Sequence, residues 1–249
     1  MIVCIDSGNS RIKWGVSDST GNWLENGAVD QAESGKMADL AHRLPLPAQV
    51  MLANVAGAAT LTNIVEALAP WRAVLHEVRS TAAAGGVVNQ YENPAQLGVD
   101  RWCALIGARA LSAAPCVVVM AGTATTIDTL DGEGRFLGGL ILPGLDLMHR
   151  SLARDTAALP LAAGTYSMHP RCTDDAIVSG CIEALVGAIE RAVARLGSGA
   201  ECLLSGGAAN VLGRYLDVPH RTVGNLVLEG LRRLAGTSPA PHATGKISG

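Results

Sequence analysis

Three stretches of the chain combine residue types and spacings that can handle phosphate or move a proton. Asp6-Ser7-Gly8-Asn9-Ser10, followed by Arg11, Ile12 and Lys13, closes the apolar run Ile2 to Ile5. A carboxylate at the end of a buried strand can hold Mg²⁺ through water. Glycine lets a backbone approach a phosphate closely, and hydroxyl, amide and successive backbone N–H groups can bind its oxygens. Lys13 would add a point charge. The same residues would also make an ordinary polar hairpin turn. Gly122-Thr123-Ala124-Thr125-Thr126-Ile127-Asp128 is a second turn, rich in hydroxyls. Alone it is a β-turn; facing the first, it completes a two-sided clamp for a triphosphate. The third stretch runs from Asn93-Pro94 to Gly98-Val99-Asp100-Arg101-Trp102. An Asp there can simply complement the start of a helix. As chemistry, Asp100 can take a proton from a substrate hydroxyl, while Arg101 can bind an anionic substrate or stabilise a phosphoryl group in transfer.

Other signals are weaker. Gly138-Gly139 and Pro143-Gly144 allow close packing and introduce a helix, and Gly206-Gly207 at a strand end suits a backbone lying against a flat adenine. His42, His76, His149, His169, His220 and His242 are dispersed with no pair at ligand spacing, which argues against a histidine metal centre. There is no P-loop, GxSxG, HExxH or dinucleotide GxGxxG. If ATP is used, its phosphates rest in a different cradle.

The elements that must carry these residues come from the apolar periodicity. Strand, Gly-rich turn and strand run from residue 2 to 16, with a third strand over 23–29. Short helices are expected at 35–43 and 61–68, and strands at 50–54 and 73–78. Residues 80–96 form a long, functional loop, and a helix follows over 98–113. The pattern then restarts: strands at 116–120, 127–130 and 136–142, helices near 144–153 and 174–196, a strand at 202–205 and a helix over 223–235. The same hairpin-led unit thus occurs twice, which predicts two similar α/β domains, 1–113 and 114–236, facing each other across a cleft where a ligand binds. The tail 237–249 is expected to be disordered.

Composition agrees. At 249 residues the chain holds about 1.7 average domains. Hydrophobic residues reach 49% and charged ones only 16%, too apolar for a disordered protein. The net charge of −3, without a basic cluster, excludes nucleic acid as a partner. Neither a signal peptide nor a membrane span is expected. The scattered Cys4, Cys103, Cys116, Cys172, Cys181 and Cys202 read as reduced core thiols of a cytoplasmic protein. Aromatics are only 3%, so the core must be aliphatic. Three of them, Trp14, Tyr91 and Trp102, lie beside the candidate motifs, the two Trp being equally readable as packing.

Taken together and in order, the Asp6 turn, the Asn93–Trp102 stretch, the Thr123 turn, Gly138–Gly144 and Thr173 to Gly180 resemble type III pantothenate kinase. That family belongs to the superfamily of acetate and sugar kinases, heat-shock ATPases and actin, and some members were first described as Bvg accessory factors. The resemblance covers about residues 2 to 235. It implies two duplicated actin-like (ribonuclease H-like) domains and ATP-dependent phosphorylation of pantothenate to 4′-phosphopantothenate, the first step of coenzyme A biosynthesis. It implies that Asp6, Ser7, Gly8, Asn9, Ser10, Arg11, Ile12, Lys13 and Thr123 bind ATP, with Asp6 positioning Mg²⁺. Asp100 would be the proton acceptor, and Tyr91, Gly98, Val99, Asp100, Arg101 and Thr173 would contact pantothenate. It also implies a homodimer. Family members often carry Asp at the position of Met120, where it binds K⁺ or NH₄⁺. A thioether cannot replace a carboxylate around a hard cation, so a monovalent-cation site of that kind is not expected. Two other readings stay open: a kinase of the same superfamily for another small hydroxyl substrate, and a non-enzymatic regulator.

Overall fold

The computed structural model describes residues 1–155 and 163–235; the tail expected to be disordered lies outside them. Two mixed sheets organise the chain. In the first, β1 (Ile2–Ser7), β2 (Arg11–Ser17) and β3 (Trp23–Asp30) form an antiparallel meander, and β4 (Gln49–Asn54) and β5 (Leu75–Glu77) add in parallel beyond β1, giving the order β3-β2-β1-β4-β5. The second repeats it. Here β8 (Cys116–Ala121), β9 (Ala124–Leu130) and β10 (Arg135–Pro143) form the meander, and β11 (Glu201–Ser205) and β12 (His220–Thr222) add in parallel beyond β8. The duplication expected from the two Gly-rich turns is therefore present strand for strand.

The second sheet has seven strands, because β6 (Ala83–Ala84) and β7 (Val87–Asn89) extend it beyond β10. Both come from the stretch read as a loop. They are two and three residues long, too short for an alternating pattern to show, and β7 is ordered by pairing with a strand nearly fifty residues later in sequence. Two segments thus cross the expected 113/114 division: β6–β7, and the last helix, α7 (Leu226–Ala235), which lies against β1.

Side-chain alternation shows how the layers stack. Val3, Ile5, Val50 and Leu52 point to one face of the first sheet and pack on α1 (Ala38–Arg43), α2 (Ala58–Ala67) and the 3-10 turns that flank them. Cys4, Met51 and Ala53 point to the other face, against α3 (Val99–Leu111) and α7. In the second sheet Val117, Val119 and Ile127 face α5 (Thr173–Leu196) and α6 (Ala209–Leu212), with α4 (Leu145–Asp155) alongside. Cys116, Val118 and Leu130 join α3 and α7 in the same cluster as Cys4 and Met51. Both sheets are covered on two faces, and α3 with α7 is the middle layer they share.

The middle helices cross with their backbones in contact. A Cβ on Gly230 would fall onto Cys103 O, and one on Gly107 onto Leu226 O. Glycine at both places lets a thin layer fill the space between two sheets. α7 is also pinned to β3, where Trp23 Nε1 donates to Glu229 Oε1 over 2.5 Å and Arg232 lies over the indole. All six cysteines are free; Cys172 is exposed, before the start of α5, and the other five are buried as expected. Among the described residues no helix is long and apolar enough to cross a membrane.

Candidate active site

Asp6 is the next inward-facing residue after Cys4 on β1, so the alternation aims it at the middle layer. Its register partner on β2 is Lys13, on the same face. Asp6 is only 8% exposed. Burial pushes its carboxyl up from 3.8 to about 6, with Lys13 pulling it down and the charge of Asp100 pushing it further up. Asp100 sits in the first turn of α3, half-buried, where the N–H of Arg101 donates to its Oδ1 over 2.8 Å. The next turn of α3 brings Cys103 under the same influence. Burial, then Asp6 and Asp100, raise its thiol well above the ordinary value. Two carboxylates from different elements therefore share one partly buried place.

The first hairpin closes with Gly8 N–H donating to Arg11 O over 3.1 Å. Behind it, Ser7 Oγ donates to Asn54 Oδ1 at 2.8 Å, and Asn54 in turn holds Gly57 O. The second hairpin closes with Gly122 N–H to Ala124 O, and Gly144 N–H ties Thr123 O to the start of α4. The two turns, 113 residues apart in sequence, meet directly: Ser10 Oγ and Thr123 Oγ1 are 2.8 Å apart. The two turns, one from each sheet, therefore face and touch each other.

Arg101 is buried, and its partner lies on β9. Its Nε donates to both oxygens of Asp128, at 3.2 and 3.1 Å, and its Nη2 donates to Oδ1. Its Nη1 donates to Tyr91 Oη over 3.1 Å, and the guanidinium stands 5.8 Å from the Tyr91 and Phe136 ring centres. Burial opposes the charge on Arg101, but the hydrogen bonds and charge of Asp128, then those of Tyr91, outweigh it and hold the guanidinium protonated.

Among the sequence-expected residues, the structure joins Asp6, Lys13 and Asp100 into one group, Ser10 and Thr123 into another, and Tyr91 with Arg101 into a third beside Asp100. Gly98 abuts Asp100 Oδ1, and Val99 packs on the shared core. Ile12 is fully buried in the outer core of the first sheet, so only its backbone faces the turn. Arg11 is exposed, 3.7 Å from Asp30. Thr173 is exposed in the first turn of α5. Trp14 packs on the outer core under Arg43, and Trp102 is core. Of the three aromatics beside the motifs, only Tyr91 engages the polar group. Sequence reading gave no role to Asp128, Phe136 or Asn54. For Asp128 one signal existed: a lone charge within the apolar strand after the Thr turn.

Comparison with known proteins shows the family. The family model for type III pantothenate kinase matches residues 2–195. A type III pantothenate kinase of Dechloromonas aromatica is 59% identical over 236 residues, covering 94% of this chain and 99% of that one. One of Aromatoleum aromaticum is 51% identical, covering 94% and 98%. Among solved structures, a Campylobacter jejuni protein assigned to a Baf family of transcriptional activators superposes with a TM-score of 0.63 at 18% identity, over 94% of this chain and 98% of that one. The ethanolamine utilization protein EutJ of Carboxydothermus hydrogenoformans gives 0.56 at 15% identity, over 94% and 88%. These two likenesses speak for the actin-like fold; the sequence relatives speak for the family. The chain belongs to the type III pantothenate kinase family.

Proposed function

We propose that the two hairpin turns grip the phosphates of ATP while the first turn of α3 presents the acceptor hydroxyl, so that the chain transfers the γ-phosphoryl group of ATP to pantothenate. This is the reaction of the family, and it opens coenzyme A biosynthesis. The observation that carries the reading is the meeting of Ser10 and Thr123 from separate sheets, at the end of the hairpin that carries buried Asp6, whose register partner is Lys13 and which feels Asp100.

Each group has a part. Backbone N–H groups and hydroxyls of the segment Asp6 to Lys13, with Thr123 opposite, bind phosphate oxygens, and Lys13 adds positive charge. Asp100 accepts the proton of the pantothenate hydroxyl as that oxygen attacks phosphorus. Tyr91, Gly98, Val99, Arg101 and Thr173 contact pantothenate. Most of the rate comes from positioning and fixed charge rather than covalent chemistry.

The residues fit Mg²⁺. Asp6 is a buried carboxylate whose charge Lys13 offsets only in part, and among the described residues no group of three or more His, Cys, Asp or Glu could cage a metal. Magnesium is commonly held by one or two carboxylates, with substrate phosphates and water completing its shell. It would supply neutralising charge at the phosphates. At the family's monovalent-cation position, Met120 is the last residue but one of β8, its side chain packed on the shared core, and a thioether offers a hard cation no oxygen.

A second copy of the chain fits the exposed edge of β10. From Gly138 onward that strand pairs with β9 alone, and Leu137, Leu140 and Ile141 are 53%, 42% and 65% exposed. An apolar edge of this kind is covered in a stable protein, so we assign it to a homodimer. Six free cysteines suit a reducing compartment, and we place the enzyme in the cytoplasm. A coupled ADP-release assay, with mass detection of 4′-phosphopantothenate, tests the function. ADP formed with pantothenate and not with a panel of sugars is the expected result. ADP formed only with a sugar, or with no acceptor tried, would refute it.

A further inference from the structure

The glycine pair in β10 reads from the sequence only as close packing, and Asp128 only as the end of the Thr-rich turn. The structure connects them. Asp128 and Gly139 are register partners on β9 and β10. A Cβ on Gly139 would press on Asp128 Oδ1, on Arg101 Nη2 and on the Ile127 carbonyl. Gly139 lacks the positive φ that would itself call for glycine, so what this residue supplies is space. The space is filled by the Arg101–Asp128 pair, 5% and 0% exposed.

A buried ion pair is a poor way to gain stability, because desolvation cancels much of the attraction and an apolar pair of similar volume often does as well. Its geometry is a better guide to its role. Asp128 takes Nε and Nη2 of Arg101, which fixes the plane of the guanidinium. That plane directs Nη1 at Tyr91 Oη. With a cationic N–H donated to it, the Tyr91 oxygen is engaged as an acceptor and its own hydrogen is left to donate. Tyr91 is further steadied by the Phe136 ring, 5.3 Å centre to centre. The assembly thus offers a hydroxyl donor beside a fixed cation, one residue from Asp100.

We propose that Asp128, in the room left by Gly139, is a positioning residue that orients Arg101 and, through it, sets the Tyr91 hydroxyl as a donor toward the anionic end of the substrate. The proposal rests on the reading that pantothenate binds beside Asp100. It predicts that discrimination for a negatively charged substrate resides in Asp128, which touches no substrate itself.

The test uses full-length Asp128→Asn and Gly139→Ala. The first removes the counter-charge; the second keeps every charge and displaces the pair. Steady-state kinetics are measured with pantothenate and with pantothenol, the neutral alcohol that shares the reacting hydroxyl. We expect KM for pantothenate to rise about tenfold or more in Asp128→Asn, while KM for ATP stays within about twofold. The preference for pantothenate over pantothenol, as a ratio of kcat/KM values, should fall in step. Gly139→Ala should move the same two quantities in the same direction, and it carries the test alone if Asp128→Asn does not fold. Unchanged KM and unchanged preference in the folded variants, with only a lower melting temperature, would overturn the proposal and leave pantothenate kinase activity standing. Absence of pantothenate turnover in the unmodified protein would overturn both.

Discussion

Asp6→Asn should make the ligand-free protein more stable while damaging its activity. The carboxyl of Asp6 rises from 3.8 to about 6 in the folded chain, mainly through burial and partly through Asp100, against the pull of Lys13. At about 1.4 kcal/mol per pH unit that difference amounts to about 3 kcal/mol. The folded state binds this proton more tightly than the unfolded one, so stability falls as pH rises through the window from 3.8 to about 6. Above that window the full penalty is present; below it the penalty is gone. Asparagine keeps the shape without the charge, so the variant should gain up to about 3 kcal/mol at pH 8. At about 2–4 °C per kcal/mol for a chain of this size, that is a rise in Tm of up to about 10 °C. Thermal unfolding followed by circular dichroism, without nucleotide or metal, from pH 4.5 to 8 is the assay. The gain over wild type should be largest at pH 8 and shrink toward pH 4.5. A second arm adds Mg²⁺ and ATP, which should stabilise wild type more than the variant, because wild type keeps the carboxylate that fits the metal. A variant less stable than wild type at pH 8, or a difference that does not change with pH, would refute the electrostatic reasoning.

Asp100→Asn should fold with an unchanged circular dichroism spectrum and lose about 10²–10⁴-fold in kcat, measured by coupled ADP release; near-normal turnover would remove Asp100 from the role of base. Ser10→Ala with Thr123→Ala should raise KM for ATP several-fold and leave KM for pantothenate in place, so an equal effect on both substrates would speak against a phosphate clamp. Gly230→Ala pushes a methyl onto the Cys103 carbonyl and should cost about 1–3 kcal/mol, seen in the urea midpoint. Replacing K⁺ with Na⁺ should change the initial rate by less than about twofold, since the Met120 side chain offers a cation a thioether where the family offers a carboxylate; strict K⁺ dependence would require a site built from other oxygens.

What could be read from the sequence was whatever the chain states locally. The two meanders announce themselves through apolar runs broken by Asp6–Ser10 and by Gly122–Thr126, and α5 through a long helical period. The short strands Ala83–Ala84 and Val87–Asn89 were not legible, because β7 owes its order to pairing with β10 rather than to its own pattern. The course of α7 was equally hidden. Its apolar face says that it packs, but only its shared cluster with Cys4 and Met51 of one sheet and Cys116 and Val118 of the other shows that it lies between both. Arg101 makes the same point at the site. Its position beside Asp100 was plain, but its orientation depends on Asp128, 27 residues away, and on the missing side chain at Gly139.

The inner faces of the two sheets each carry one buried carboxylate toward the middle helices, and the surroundings assign them opposite tasks. Asp128 is fully buried and held by three hydrogen bonds from one guanidinium, so its charge is spent inside the protein. Asp6 is nearly as buried, yet it faces only Lys13 across the hairpin and feels a like charge from Asp100. A carboxylate left short of positive charge beside the proposed phosphate clamp suits a cation that arrives with its substrate. Asp100 stands between them, half-buried, with a backbone N–H on one oxygen. In the reaction proposed above, environment rather than residue type separates the roles: one aspartate would orient, one would meet the metal, and one would accept the proton. Exchanging those surroundings should exchange the roles. An arginine brought to Asp6 would neutralise it and abolish Mg·ATP use even with the carboxylate intact.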